Sequence, residues 1–133
     1  MDRSVSEFLE AFTLWAGSKA DIVAVALVGS FARGEATLES DVDVMILTHS
    51  MGKYLLDSSW ASLFGEVVDA QEESWGRVTS LRVFYKGGRE VEYGFTTPAW
   101  AGLPMDQGTL RVVRDGIKAL YDPQHIILKM QSA

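Results

Sequence analysis

The sequence predicts a small α/β (α+β) domain with a mixed β-sheet flanked by helices, and three features of its 133 residues indicate this. Two apolar runs rich in Val, Ile and Leu, at 22–28 and 44–47, are typical of strands covered on both faces. RVTSLRVFY at 77–85 alternates as a half-exposed strand does. An amphipathic segment precedes the first run. A chain this long buries about two-thirds of its unfolded surface, so residues 1–133 are expected to form one domain.

The first half of the chain predicts a helix, two strands and a second helical region. SVSEFLEAFTLWAG at 4–17 has apolar residues at helical spacing, between a serine start and a glycine stop. After the strand at 22–28, FARG at 31–34 indicates one helical turn, and VDVMIL at 42–47 indicates the second strand. Residues 51–64 are predicted to be helical.

The second half predicts a hairpin followed by a loop, a strand and a helix. The turn KGGR at 86–89 joins RVTSLRVFY to EVEYGF at 90–95 as an antiparallel pair. TTPAWAGLPMDQG at 96–108 is rich in proline and glycine, which predicts a loop. IKALYD at 117–122 indicates a last strand, and PQHIILKM at 123–130 a terminal helix with proline in its first turn.

Composition and charge narrow the choice of partners. The net charge is −6 and the basic residues are scattered, so no long nucleic acid is expected to bind, whereas one small phosphate ligand needs only a few donors. No apolar run approaches the roughly 20 residues that cross a bilayer, so no membrane association is expected. The sequence contains no cysteine, which fits the cytoplasm, where we expect the protein to act.

The stretch GSFARGEATLESDVDVMIL at 29–47 contains a pair of carboxylates. Asp41 and Asp43 are two residues apart at the start of a strand, so both leave the same face, with Cβ atoms roughly 6 to 7 Å apart. Such carboxylates repel each other unless a cation lies between them, and Mg²⁺ favours carboxylate and phosphate oxygens. Taken alone, the pair is also compatible with a solvated strand end.

The residues before this pair predict a phosphate site. Gly29 follows a buried strand and lacks a Cβ, so a ligand could approach the backbone. Ser30 adds a hydroxyl and an N–H group at a helix start, where anions are favoured. Arg33 supplies a guanidinium for phosphate oxygens, and Gly34 ends the turn. A metal-bound polyphosphate is therefore the predicted ligand.

Other phosphate-binding motifs fit less well. The sequence contains neither a Gly-Lys-Ser/Thr P-loop nor a Gly-x-Gly-x-x-Gly. The Asp-x-Asp pair resembles that of the haloacid dehalogenase phosphatases, but there the apolar strand precedes the pair, whereas here it follows.

Taken together, GS at 29–30, RG at 33–34 and SDVD at 40–43 resemble the signature of the DNA polymerase beta-like nucleotidyltransferase superfamily, in particular its minimal bacterial members. The resemblance implies the polymerase beta-like palm fold. It also implies a Mg²⁺-dependent enzyme that moves a nucleoside monophosphate from an NTP, here expected to be ATP, to a hydroxyl of a small molecule or a protein, with release of pyrophosphate.

The resemblance further implies which residues form the site. Two Mg²⁺ ions, roughly 3.5 to 4 Å apart, are expected between Asp41 and Asp43. The nucleotide is expected to be bound by Gly29, Ser30, Arg33 and Ser40.

The superfamily also requires a third carboxylate from a later strand. In EVEYGF, Glu90 and Glu92 share one face, which the hairpin could bring beside the aspartates. Glu92 lies mid-strand between bulky residues, so we expect it, and not Glu90 beside the turn, to be the catalytic residue and metal ligand. The alternative is that both glutamates lie on a solvated face.

Two other functions stay open. One is an antitoxin-like module that keeps the nucleotide site but acts by binding a partner; the other is a nucleotide-dependent phosphatase or sensor. The acceptor pocket is expected to be completed by a second copy of the chain or a helical partner, docked through the loop at 96–108 and the terminal helix. This loop contains Trp100, Leu103 and Met105 with no evident core to receive them, and such side chains favour interfaces. Packing of the loop on its own domain is the alternative.

Overall fold

Six strands form one mixed sheet in the computed structural model, which describes residues 3–37 and 39–133. They are β1 (Ile22–Val28), β2 (Val42–Thr48), β3 (Val67–Trp75), β4 (Val78–Tyr85), β5 (Glu90–Thr96) and β6 (Ile117–Tyr121). Their order across the sheet is β3-β4-β5-β2-β1-β6. β2 and β5 are parallel, and the other neighbouring pairs are antiparallel. The predicted mixed sheet is confirmed.

Helices flank this sheet on both faces. They are α1 (Arg3–Gly17), α2 (Gly29–Arg33), α3 (Met51–Leu56), α4 (Gln107–Asp115) and α5 (Ile126–Gln131), with 3₁₀ turns at Ser59–Phe64 and Pro98–Ala101. No helix among the described residues is long and apolar enough to span a membrane.

The larger core lies between the sheet and α1. Phe8 and Phe12 project from α1 onto Tyr93 of β5, with ring centroids 6.2 and 5.4 Å apart, and Phe64 packs edge-on against both phenylalanines. Aromatic side chains bury a large apolar area, and such ring pairs add further stabilisation. The helical spacing of apolar residues at 4–17 therefore marks the face that α1 buries.

A smaller core on the opposite face contains Trp100, which corrects one expectation. Trp100 is only 3% exposed and packs with Met45 of β2 and with Ile127 and Met130 of α5. The loop at 96–108 therefore packs on its own domain through this residue, which belongs to a core cluster that also contains Ala24 and Ala26 of β1. Leu103 remains 55% exposed.

Two elements were absent from the prediction, and three others have different limits. β3 is exposed along most of its length, so it shows no apolar alternation, and the glycine and β-branched residues of α4 obscure its helical pattern. α2 begins at Gly29, two residues before the predicted helical turn at 31–34. The predicted helix at 51–64 is divided into α3 and a 3₁₀ turn. α5 begins after Pro123, at Ile126, because the Asp122 carboxylate accepts hydrogen bonds from the N–H groups of Ile126 and Leu128.

Candidate active site

The pairing of β2 with β5 brings three carboxylates together. Asp43 lies opposite Glu92 in the parallel register, and Asp41 directly precedes β2. One carboxylate oxygen from each residue lies within 4.8 Å of the others, and all three residues are partly buried. The structure thus places Asp41, Asp43 and Glu92 side by side, as the sequence led us to expect.

Gly29 lies directly against Asp43. Its φ angle is +73°, and a Cβ built there would lie 2.4 Å from Asp43 Oδ2. No side chain can occupy that position while the carboxylate stays in place. The glycine therefore makes room for Asp43, a reason that differs from the backbone approach of a ligand expected from the sequence.

The surroundings of Asp43 disfavour its negative charge. Burial raises the pKa of Asp43 to about 8, and the neighbouring carboxylates of Glu92 and Asp41 contribute, while the Arg82 guanidinium opposes the shift. Its Oδ1 atom is buried without a hydrogen-bond partner among the described residues. A hard divalent cation would satisfy this oxygen and neutralise the charge, so the three carboxylates fit the Mg²⁺ ion that such a site implies.

Arg82 of β4 lies among these carboxylates, although it was not predicted from the sequence. Its guanidinium lies 3.0 Å from Asp41 Oδ2 and 3.3 Å from Glu92 Oε1, and it also bonds Glu73 and Glu90. Hydrogen bonding to Glu73, followed by the other carboxylates, raises the pKa of Arg82 above its usual value. Arg82 lies opposite Glu92 in the hairpin of β4 and β5, so the register of this hairpin could have identified Arg82 as a neighbour of the carboxylates.

The residues of the predicted phosphate site lie at two separate places. Gly29 and Arg33 line a cavity together with Asp43, and Ser30 follows Gly29 at the start of α2. Ser40 lines a different cavity, and its hydroxyl accepts a hydrogen bond from the Thr37 N–H at 2.9 Å. The structure therefore does not bring Ser40 to the predicted phosphate site, because its side chain closes a local turn.

The cavity beside Asp43 has a volume of about 670 Å³, within the usual range for small-molecule sites. Its lining combines the charged residues of the carboxylate cluster, and further charged residues at Arg77, Asp106, Arg111 and Asp115, with apolar side chains. It also includes Trp75, which is 58% exposed. α4 contributes a wall, which the Asp106 side chain stabilises by accepting a hydrogen bond from the Thr109 N–H. The apolar residues of the lining include Val28, Val44, Met45, Val78, Trp100 and Val112.

Residues 6–84 match the family model described as "Nucleotidyltransferase domain". The chain belongs to the nucleotidyltransferase domain family. The match covers more than half of the sequence and includes Asp41 and Asp43, while Glu92 lies beyond its end. Comparison of this nucleotidyltransferase domain with curated protein sequences gave no match.

Solved structures of nucleotidyltransferases share the fold. An aminoglycoside 6-adenyltransferase from Bacillus subtilis is 15% identical, with a TM-score of 0.59 over 76% of this chain and 37% of that chain. Cid1 in complex with its short product ApU is 15% identical, with a TM-score of 0.51 over 70% and 30% of the two chains. The apo form I of a CCA-adding enzyme is 14% identical, with a TM-score of 0.50 over 99% and 32%. The chain thus spans about a third of the length of these relatives.

Proposed function

We propose that this nucleotidyltransferase domain transfers a nucleoside monophosphate from an NTP to an acceptor hydroxyl in a Mg²⁺-dependent reaction. The observation that supports this most directly is the convergence of Asp41, Asp43 and Glu92 beside a cavity of nucleotide size. The membership of the chain in the family supports the same reaction class.

The three carboxylates would hold the metal, with Glu92 also accepting the proton of the acceptor hydroxyl. Bound Mg²⁺ would neutralise the negative charge that develops on the leaving oxygen of the triphosphate. The acceptor oxygen would form a bond to the α-phosphorus while the bond from that phosphorus to the bridging oxygen breaks, and pyrophosphate would leave. Positioning and charge neutralisation make up most of what a protein contributes to such a transfer.

Gly29, Ser30 and Arg33 would bind the triphosphate beside the carboxylates. The Ser30 hydroxyl can donate to a phosphate oxygen. The Arg33 side chain is 36% exposed and its guanidinium lies 3.4 Å from Glu35, which is 71% exposed, so it can turn to phosphate without breaking a buried ion pair. We propose ATP as the nucleotide. Two Mg²⁺ ions would suit the three carboxylates, since paired ions stabilise both the entering and the leaving oxygen.

The acceptor that we propose is a hydroxyl of a small molecule or a protein. The adenyltransferase relative is described as acting on aminoglycosides, which supports a small polyol as the first class to test. The net charge of −6 and the scattered basic residues disfavour long nucleic acids. A second copy of the chain or a helical partner protein would complete the acceptor pocket, although the burial of Trp100 removes one reason for docking through the loop at 96–108.

Incubation with Mg²⁺, each of four labelled NTPs and a panel of aminoglycosides and proteins tests the proposal. The expected result is an acceptor heavier by one nucleoside monophosphate, with one pyrophosphate released for each product, and no product from Asp43→Asn. Nucleotide binding without turnover in every arm would favour the partner-binding module. Release of inorganic phosphate without pyrophosphate would instead indicate a phosphatase.

A further inference from the structure

The Arg82 guanidinium is shared between two pairs of carboxylates. One pair belongs to the candidate metal site: Asp41 Oδ2 lies 3.0 Å from Nη1, and Glu92 Oε1 lies 3.3 Å from Nη2. The other pair lies outside that site: Glu73 accepts from Nε at 2.7 Å, and Glu90 accepts from Nη1. Arg82 therefore contacts two of the three carboxylates that would hold the metal.

A metal ion and this guanidinium would compete for the same oxygens. A divalent ion bound by Asp41 and Glu92 would lie within a few ångströms of the positive charge of Arg82, where like charges repel strongly in a partly buried site. Glu73 and Glu90 give the guanidinium two partners that it can keep when Asp41 and Glu92 turn towards a metal. Arg82 therefore has carboxylate partners both in the absence and in the presence of a bound metal ion.

We propose that Arg82 is the internal counter-ion of the metal site, neutralising Asp41 and Glu92 and releasing them to the divalent ion while it stays bound to Glu73 and Glu90. The inference rests on the proposed function, since it takes these carboxylates as the metal ligands. Arg82 is then a positioning residue. It holds the two side chains in place before the metal binds, and it lowers the affinity of the site for metal.

Titration with Mn²⁺, followed by electron paramagnetic resonance of the free ion at neutral pH, tests this inference. Arg82→Gln should bind Mn²⁺ roughly tenfold more tightly than the wild type, because a repulsive charge and two competing hydrogen bonds are removed. The same variant should melt at a lower temperature in EDTA, and Mn²⁺ should raise its melting temperature more than that of the wild type. Folded Arg82→Gln that binds Mn²⁺ no more tightly than the wild type would overturn the inference.

A second variant gives an answer even if Arg82→Gln does not fold. Glu73→Gln removes a carboxylate that competes with Asp41 and Glu92 for the guanidinium, so Mn²⁺ affinity should fall about threefold. Glu72→Gln is the matched control, because Glu72 lies on the same strand opposite Leu81, on the other face of the sheet. Equal Mn²⁺ affinities of the two variants would contradict the role of Arg82.

The failure of the proposed metal site would look different. Among the described residues Arg82 forms ion pairs with Asp41, Glu73, Glu90 and Glu92 but not with Asp43, so Asp43→Asn tests the site without removing a partner of the guanidinium. Wild-type protein that binds no Mn²⁺, or whose Mn²⁺ binding survives Asp43→Asn, would overturn the metal site and this inference with it. Mn²⁺ binding that is lost in Asp43→Asn but unchanged in Arg82→Gln and Glu73→Gln would overturn the inference alone.

Discussion

A Cβ at Gly29 would lie 2.4 Å from Oδ2 of Asp43, so the glycine and the carboxylate occupy their positions only together. The same turn contains a second glycine, Gly34, with almost the same φ angle, +75° against +73°. A Cβ at Gly34 would meet no atom within 4 Å. Both glycines therefore adopt the left-handed backbone conformation, but only Gly29 has a neighbouring atom where a Cβ would lie.

Replacing each glycine by alanine should separate these two effects. Gly34→Ala should lower the free energy of unfolding by about 1 to 2 kcal/mol, the cost of a left-handed backbone for a residue with a Cβ. Gly29→Ala should cost more and should also abolish the Mg²⁺-dependent rise in melting temperature, because Asp43 is displaced. Urea denaturation and melting curves with and without Mg²⁺ measure both quantities. Equal losses of stability, with the Mg²⁺ response intact in both variants, would show that Asp43 does not depend on Gly29.

Asp43 should make the metal-free protein less stable as the pH rises. Its pKa is about 8 in the folded chain, against an ordinary value of 3.8. Between these values the folded state keeps a proton that the unfolded state has lost, so the free energy of unfolding falls from about pH 4 to pH 8. In EDTA, urea denaturation of the wild type should show this loss between pH 5 and pH 8. Asp43→Asn should lose less unfolding free energy over the same pH range, and Mg²⁺ should restore stability to the wild type at pH 8. Identical pH dependence of the two proteins would contradict the shift.

Ser30 and Ser40 should differ in their effect on nucleotide affinity. Ser30→Ala removes a hydroxyl at the start of α2, beside Gly29, and should weaken triphosphate binding by about 1 kcal/mol. Ser40→Ala removes a hydroxyl that accepts a hydrogen bond from Thr37, so it should alter the turn and leave the affinity nearly unchanged. Calorimetric titration with a non-hydrolysable ATP analogue and Mg²⁺ measures both. A larger loss of affinity in Ser40→Ala than in Ser30→Ala would show that Ser40 belongs to the phosphate site.

Glu92 and Glu90 should differ in their effect on catalysis. Glu92→Gln should slow nucleotidyl transfer by about two orders of magnitude, since it removes the carboxylate expected to take the acceptor proton. Glu90→Gln removes a carboxylate that binds Arg82 but is not among the three convergent ligand groups, so its rate should change only a few-fold. Single-turnover rates at saturating nucleotide distinguish the two variants. If Glu90→Gln is the slower enzyme, the third carboxylate has been assigned to the wrong residue.

Trp100 and Trp75 both line the cavity, but they should affect different properties. Trp100→Ala should destabilise the fold by about 3 to 5 kcal/mol, because the substitution removes from the core a large side chain that is only 3% exposed. Trp75 is 58% exposed, so Trp75→Ala should change stability by less than about 0.5 kcal/mol, while binding of nucleotide or acceptor weakens. Urea denaturation and equilibrium titration measure the two effects. Unchanged affinity for every ligand in Trp75→Ala would remove that residue from the site.

Several parts of the fold and of the site depend on patterns that are local in the chain. Alternation and apolar runs marked β1, β2, β4 and β5, because a strand shows its period within a few residues. The Asp-x-Asp spacing placed Asp41 and Asp43 on one face for the same reason. The preference for Glu92 over Glu90 also followed from positions within one strand, and the structure places Glu92 in the carboxylate cluster.

Only the tertiary structure decided which residues of different elements meet. The pairing of β4 with β5 brings Arg82 to the carboxylates, and the parallel register of β2 with β5 places Asp43 opposite Glu92. Trp100 likewise packs on the second face in a cluster with residues of β1 that lie more than 70 positions earlier. Spacing along a strand or helix is set by the geometry of the backbone. A contact across the sheet is set by register and packing, which involve residues far apart in the sequence.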